Sequence, residues 1–565
     1  MPAEGPGALT GTGVSPGVGH GPVHVLADSV PEPPRGARHD GDAVAERARV
    51  HAALEQVAAD LTARGRSAFP EARDVLAAQT MMARDPALAE AVDALVDSGT
   101  AGARAVYESF GTYRAALVAA GGYLAGRAAD LDDVRDRAVA VLSGIDLPGP
   151  PDRAGGPYVL VARDLAPADT ALLSRDTVAA LVTEEGGPTS HTAILARAMG
   201  VPAVVACPGA TGIAEGVRAL VDGTTGVVTL SPSPADIEAA RTAGDARNAA
   251  LAEATGPGTT ADGRPVPLLA NIGGPADLAA ALEHDAEGVG LYRTELLFLD
   301  REDAPGEDEQ YAAYREVLDA FPGGRVIVRT IDAGADKPLA FLPPPGAEPN
   351  PALGERGLRL ARTHPRVLET QLAALARAAD GAPARLGVMA PMVATREEAE
   401  WFAAACRTAG LPETGVMIEI PSAALRAAAL AAAVDFVSIG TNDLAQYTFA
   451  ADRQLGSLGA LQDPWQPALL DLVHAAATGA AAGGRPCGVC GEAAGDPALA
   501  CVLVGLGVTS LSMGAAALPA VRAVLARHTW AQCGQAAEAA RAAGSAKEAR
   551  AAARALLPGL ADLAL

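Results

Sequence analysis

Aromatic residues make up only 3% of this 565-residue chain, cysteines number six and histidines nine. Six scattered cysteines in a chain of this length exclude a disulfide framework. No apolar run reaches the roughly 20 residues that span a bilayer. The start, MPAEGPGALTGTGVSPG, is polar and glycine-rich and does not read as a signal peptide. A cytoplasmic protein without membrane insertion is therefore expected. Positive charge is also scarce: 44 Lys and Arg stand against 67 Asp and Glu, for a formal net charge of -23. That balance excludes sequence-independent binding to nucleic acid, which needs clustered cations. What the chain does have is length and apolar residues, 50% of the total, enough for roughly three or four domains at about 150 residues each.

The stretch GTGVSPGVGHGPVHVL reads as glycine turns followed by a short strand at Val23 to Leu26. From about Ala43 to Leu142 apolar residues recur three and four positions apart, which predicts an all-helical insert. YVLVA, VAALVT, VPAVVA and GVVTL then read as strands of an α/β domain, and PADIEAARTAGDARNAALAEA as a helix. ATGPGTTADGRPVP, Ala254 to Pro267, is turn-rich and reads as a linker end. Beyond it, VPLLANI, GVGLYRTE, VIVRTID, LGVMAPMV, TGVMIEI, DFVSIGTND, RPCGVCGE and SLSMG alternate with helical text. About eight such repeats predict a (β/α)8 barrel of the TIM type; a doubly wound sheet, the alternative, uses fewer strands. The final QAAEAARAAGSAKEARAAARALL reads as a solvated alanine-rich helix.

The strand ends carry the chemistry, because barrel active sites sit at the carboxyl ends of the strands. Those ends read Asn271, Arg293 with Glu295, Arg329 with Asp332, Glu419, Asn442 with Asp443, and Cys490 with Glu492; Arg453 follows in the loop after the sixth strand. Arg293, Arg329 and Arg453 offer planar forks for phosphate or carboxylate. Glu419 and Asp443 either hold one Mg²⁺, which takes one or two protein carboxylates plus water and phosphate, or simply pair with the arginines. Cys487 and Cys490 form CGVC, a spacing also seen in redox pairs and half zinc sites. Residues three apart on a strand point to opposite faces, so one thiol alone is expected at the mouth, as an inert buried group or as a proton donor.

The stretch GGPTSHTAILAR places His191 at the start of a helix, with Thr189 or Ser190 as cap and Gly200 as stop. A helix N-terminus disfavours imidazolium and favours an anion. A neutral imidazole there is a nucleophile whose phosphoryl product would meet free backbone N–H groups. The alternative is a capped helix with an incidental histidine.

These motifs together resemble those of enzyme I of the phosphoenolpyruvate:sugar phosphotransferase system. GGPTSHTAILAR resembles its phosphohistidine motif. GLYRTELLFLD, VIVRTIDAGADKPL, NPALGERGLRL, VMIEIPSAA, DFVSIGTNDLAQYTFAADR and CGVCGEAAGD resemble its barrel motifs in the same order. LAAQTMMARDPAL and YLAGRAADLDDVRD resemble its helical partner-binding domain. The resemblance implies a multidomain α/β protein: a swivelling phosphohistidine domain at 1–32 and 145–232, a helical insert at 33–144 that binds the carrier protein HPr, a linker helix at 233–257, a phosphoenolpyruvate-binding barrel at 258–540 that carries a homodimer contact, and a C-terminal helix at 541–565. It implies that His191 carries the phosphoryl group, that Thr170 bonds its imidazole and that Cys490 protonates the enolate. It further implies phosphoenolpyruvate binding by Arg293, Arg329, Arg356, Asn442 and Arg453, and Mg²⁺ (with Mn²⁺ as substitute) on Glu419 and Asp443. Glu71, Met81, Met82, Leu88 and Arg127 would contact HPr. Pro188 and Gln79 depart from the family pattern, where basic residues and histidine are common. The rival enzyme class, pyruvate phosphate dikinase or phosphoenolpyruvate synthase, needs a nucleotide domain for which the chain has no room. A catalytically silent regulator would have lost the histidine or a metal ligand.

Overall fold

The computed structural model describes residues 7–563 except 27–29, 68–69, 121–127, 146–155, 166–172, 174–175, 188–190, 300, 336–338, 343–345, 347 and 453–455. It divides into two compact units, Met1–Gly244 and Asp245–Leu565, the division falling within the helix Pro234–Ala252. No described helix is long and apolar enough to cross a membrane.

The first unit holds a helical part and a mixed sheet. Helices Ala43–Ser67, Pro70–Ala83, Pro86–Asp97, Gly102–Ala120 and Ala128–Ser143 share a core of Val50, Val57, Leu61, Val92, Val106, Phe110 and Val134. Their i, i+3 and i+4 spacings put one apolar stripe of each helix inward. Asp85 caps the third helix through the N–H groups of Ala87 and Leu88, with Pro86 in its first turn. The sheet comprises β1 (Ala8–Thr10), β2 (Thr12–Ser15), β3 (Val18–Val25), β4 (Tyr158–Ala162), β5 (Val178–Thr183), β6 (Ala203–Val205), β7 (Arg218–Asp222) and β8 (Val227–Leu230). Its order is β1-β8-β7-β3-β4-β5-β6-β2, with β3 to β6 parallel and the outer pairings antiparallel.

The glycine-rich start thus forms three strands where turns were expected. The reason is close packing: a Cβ at Gly19 would stand 2.0 Å from the carbonyl oxygen of Ala179, and one at Gly13 would stand 2.5 Å from that of Gly223. Glycine here marks backbone approach across the sheet rather than a turn.

The second unit is a closed barrel of eight parallel strands: β9 (Leu268–Ile272), β10 (Gly288–Arg293), β11 (Arg325–Arg329), β12 (Arg385–Ala390), β13 (Thr414–Ile418), β14 (Phe436–Ile439), β15 (Cys487–Val489) and β16 (Ser510–Met513). All eight coincide with strands expected from sequence. Leu291, Ile327, Met389, Met417, Phe436 and Cys490 form a small cluster inside the barrel, distinct from the large core between strands and helices. Phe436 needs glycine neighbours, since a Cβ at Gly415 would stand 2.3 Å from its ring.

Two expectations change at the edges of this unit. The segment read as a linker end folds back on itself, with Val266 N–H on the Gly258 carbonyl at 2.8 Å, and docks through Asp262, which accepts from Trp530 N at 3.0 Å. The C-terminal stretch is not one solvated helix. It forms Trp530–Arg541, Ala546–Ala555 and Gly559–Asp562, and Ala549, Ala553, Leu557, Leu560 and Leu563 are buried in the barrel core. The alanines that dilute its apolar pattern are small enough for helices to pack closely.

Candidate active site

The polar groups at the carboxyl end of the barrel converge. Arg329 ends β11 and is buried; it pairs with Glu295, lies 3.5 Å from Asp332 and sends Nη1 to Met417 Sδ at 3.7 Å. Burial opposes its charge, but Glu295, Asp332, Glu419 and Asp443 outweigh that and hold its pKa above the ordinary arginine value. Gln371, on the helix Pro365–Ala379, accepts from the N–H of Ile331 at 3.0 Å and donates to Thr294 Oγ1 at 3.2 Å, while Thr294 donates to the Arg329 carbonyl at 3.0 Å. These buried bonds tie two strand ends to the outer helix. Arg293, at the end of β10, is exposed and has no hydrogen-bond or ion-pair partner among the described residues.

Glu419 follows β13 and is 1% exposed. Its Oε1 accepts the backbone N–H of Met392 at 2.6 Å. Met392 holds that N–H in place at a φ of 56°, an uncommon conformation for a residue with a side chain. Burial first, then the neighbouring charges of Asp443 and Asp332, push the Glu419 carboxyl up to about 7. Asp443 lies in the first turn of the helix Thr441–Phe449. Asn442 beside it accepts from the N–H of Glu492 at 3.3 Å through Oδ1, which turns its amide donors toward other acceptors. Cys490 is buried inside the barrel, its thiol donating to the Ile439 carbonyl at 3.6 Å. Burial pushes that thiol up to about 11, so it is protonated at neutral pH.

Arg356 departs from expectation. It is 1% exposed and all five of its N–H groups end on protein oxygens. Nε and Nη2 donate to the two carboxylate oxygens of Asp332 at 3.0 and 2.9 Å, and Nη1 and Nη2 to those of Asp443 at 3.1 and 3.2 Å. The second Nη1 hydrogen goes to Tyr447 Oη at 3.2 Å. A guanidinium has five donors and no more, so Arg356 has none left for a substrate phosphate in this arrangement. It holds Asp443 instead. Tyr447, which sequence reasoning missed, lies four residues after Asp443 and therefore on the same helix face, a spacing that could have found it.

The donor set fits a hard divalent cation. Among the described residues, the carboxylates Glu295, Asp332 and Asp443 are paired with the buried Arg329 and Arg356, and Glu419 has no ion-pair partner within 4 Å. Two oxygen-donor carboxylates, Glu419 and Asp443, are the ligand type and number that Mg²⁺ takes from protein, the rest of its shell being water and phosphate. Among the described residues no group of three or more His, Cys, Asp and Glu could hold a metal ion, so a ligand cluster of the zinc type is not formed there.

In the first unit, His191 is the first residue of the helix His191–Met199, which ends at Gly200 with a φ of 63° and an N–H on the Arg197 carbonyl at 3.1 Å. The expected cap residues Thr189 and Ser190 lie outside the described residues, as do Thr170, Arg453, Arg127 and the side chains of His191 and Glu71. Glu184, just after β5, and Thr192, in the first turn of the helix, are each anchored. Glu184 accepts from the N–H of Gly209 at 3.3 Å and of Thr211 at 3.2 Å, and Thr192 donates to Asp164 Oδ1 at 3.1 Å. In the helical part, Met81 is 75% exposed and Met82 partly buried, whereas Leu88 is 4% exposed within the core. Leu88 therefore cannot present itself to a partner: it is on the inward stripe of its helix with Val92 and Val96.

Three families of domain match in chain order: PEP-utilising enzyme, N-terminal, over residues 10–127; PEP-utilising enzyme, mobile domain, over 155–226; and PEP-utilising enzyme, PEP-binding domain, over 246–530. The phosphoenolpyruvate-protein phosphotransferase of Haloferax volcanii is 44% identical over 82% of this chain and 83% of its own, and that of Bacillus subtilis 40% over 72% and 73%. The Streptomyces coelicolor protein of the same name is 62% identical over 98% of this chain and 99% of its own length. With such a relative aligned along nearly all of both chains, this chain belongs to the phosphoenolpyruvate-protein phosphotransferase family.

Proposed function

We propose that this enzyme takes the phosphoryl group of phosphoenolpyruvate onto His191 and passes it to the carrier protein HPr, the first step of sugar uptake by the phosphotransferase system. The observation that supports this reading most is the barrel mouth. It combines Arg293, which has no partner among the described residues, the amide of Asn442, a buried carboxylate pair and a protonated thiol. Such a site suits a small anion that loses a phosphoryl group and gains a proton.

In this reading Arg293, Arg329, Asn442 and Arg453 bind the substrate's phosphate and carboxylate. Glu419 and Asp443 would hold Mg²⁺, or Mn²⁺ in its place. When bound, the cation supplies positive charge against the phosphoryl oxygens. The neutral imidazole of His191 attacks phosphorus in line while the bond from phosphorus to the enol oxygen breaks. Thr170 orients that imidazole. The enolate takes a proton from the Cys490 thiol at its methylene carbon and leaves as pyruvate; the thiolate regains a proton from water.

One histidine serving both substrate and carrier needs a moving domain. The domain assignment is 1–32 with 145–232 for the phosphohistidine domain, 33–144 for HPr docking, 233–257 for the link, 258–540 for the barrel with the homodimer contact, and 541–565 for the terminal segment. Glu71, Met81, Met82 and Arg127 are the proposed HPr contacts, in a protein working in the cytoplasm. The test is labelling from radioactive phosphoenolpyruvate with Mg²⁺ and without ATP. Wild type should acquire an acid-labile, alkali-stable label that HPr removes, and His191→Ala should acquire none. An acid-stable label, or one on the alanine variant, overturns the assignment.

A further inference from the structure

Arg356 makes a bridge between two carboxylates of different duty. Asp443 is read with Glu419 as a cation ligand, whereas Asp332 is 0% exposed and bonds both Nε and Nη2 of Arg356. Asp332 takes Nε and one Nη2 hydrogen of Arg356, and Asp443 takes one hydrogen from each Nη. Arg329 leans on the same Asp332 at 3.5 Å while pairing with Glu295. The single positive charge of Arg356 is thus divided between two acids. An arginine bonded to Asp443 alone would neutralise it in a buried pair, and a cation would have to break that pair to bind.

We propose that Asp332 and Arg356 are positioning residues for the cation site: Arg356 fixes the Asp443 carboxylate by two hydrogen bonds, and Asp332, by sharing that guanidinium, leaves Asp443 charged enough to bind a divalent cation. The proposal rests on the reading of Glu419 and Asp443 as the cation ligands. Outer partners of a ligating group commonly set its charge and aim. The network continues beyond Arg356: Tyr447, which takes its fifth hydrogen, passes its own to the Ala352 carbonyl at 2.5 Å. That bond closes the network away from the mouth.

The experiment is Mn²⁺ titration of the full chain without phosphoenolpyruvate, with free Mn²⁺ read by electron paramagnetic resonance and folding checked by thermal melting. Asp332→Asn should weaken Mn²⁺ binding about 10–100-fold, as loss of an outer partner does. The double variant Asp332→Asn/Arg356→Gln removes one charge of each sign and restores the site's formal balance, so it should recover most of that loss. A merely structural role makes the double variant bind worse than the single one, which overturns the proposal. Wild-type binding by Asp332→Asn, alongside loss in Glu419→Gln, overturns it too. Wild-type binding by Glu419→Gln instead refutes the cation reading beneath it. If Asp332→Asn alone does not fold, the double variant decides: near wild-type affinity supports the proposal, while affinity as poor as that of Glu419→Gln, or failure to fold, defeats it.

Discussion

Cys487 and Cys490 lie on opposite sides of one barrel wall. Cys487 belongs to the large core between strands and helices, and Cys490 to the six-residue cluster inside the barrel. Burial pushes the first thiol up to about 12 and the second up to about 11, so both are protonated at neutral pH. Position separates them: Cys490 lies inside the barrel, where the proposed donor must be, and Cys487 lies outside it.

Cys490→Ala should therefore keep phosphoenolpyruvate binding and lower pyruvate formation by about 10²-fold or more, the scale of a positioned general acid. Cys487→Ala should turn over close to wild type. Steady-state pyruvate assays on both variants check this; equal impairment would mean that the thiols act together and that Cys490 is not the donor.

Glu419 provides a pH test. Its folded carboxyl is raised from 4.5 to about 7, first by burial and then by Asp443. A raised carboxyl binds its proton more tightly when folded, so it contributes stability at acid pH that is lost as pH rises through about 7. The metal-free protein should melt at lower temperature as pH rises across that window, and the stabilisation by added Mg²⁺ should grow over the same window, because the competing proton has left. Glu419→Gln should flatten both trends in calorimetric scans. An unchanged pH profile in that variant would assign the titration to another group.

Met81 and Leu88 should part company. Leu88→Ala opens a cavity in the helical core and should cost about 2–5 kcal/mol of stability. Met81→Ala, at a side chain 75% exposed, should leave melting unchanged and weaken phosphoryl exchange with HPr. Normal exchange by the Met81 variant, in phosphorylated-HPr titrations, would remove Met81 from the docking surface.

Gly491 sets the approach of the helix that carries Asn442 and Asp443. A Cβ there would stand 1.9 Å from Thr441 Oγ1 and 2.6 Å from Thr441 N, the first residue of that helix. Gly491→Ala must displace backbone, not merely a flexible side-chain end. Misplacement by about 1 Å can cost about 10²-fold in rate, so kcat/KM for phosphoenolpyruvate should fall by that order, with a loss of about 1–3 kcal/mol of stability from the overpacking. A variant with wild-type kcat/KM would show that the helix start has room to spare.

Much of this molecule is determined by sequence alone, for local reasons. Eight short apolar runs separated by helical text define the barrel strands, because a strand buried on both faces has little else to be. Polar residues just past those runs, Arg293, Arg329, Glu419, Asn442 and Cys490, mark the mouth because strand direction puts every carboxyl end on one side. Gly200 closes the helix of His191 because a left-handed residue is needed there. Tertiary structure decided what depends on neighbours distant in sequence. The early glycines became strands because Ala179 and Gly223 lie against them. Leu88 turned inward with its helix stripe, and the alanine-rich end became docked helices because small side chains permit close packing. Arg356, expected at the substrate, bonds Asp332, Asp443 and Tyr447 in this structure, since where a guanidinium spends its five hydrogens is settled by which acceptors the fold brings within reach.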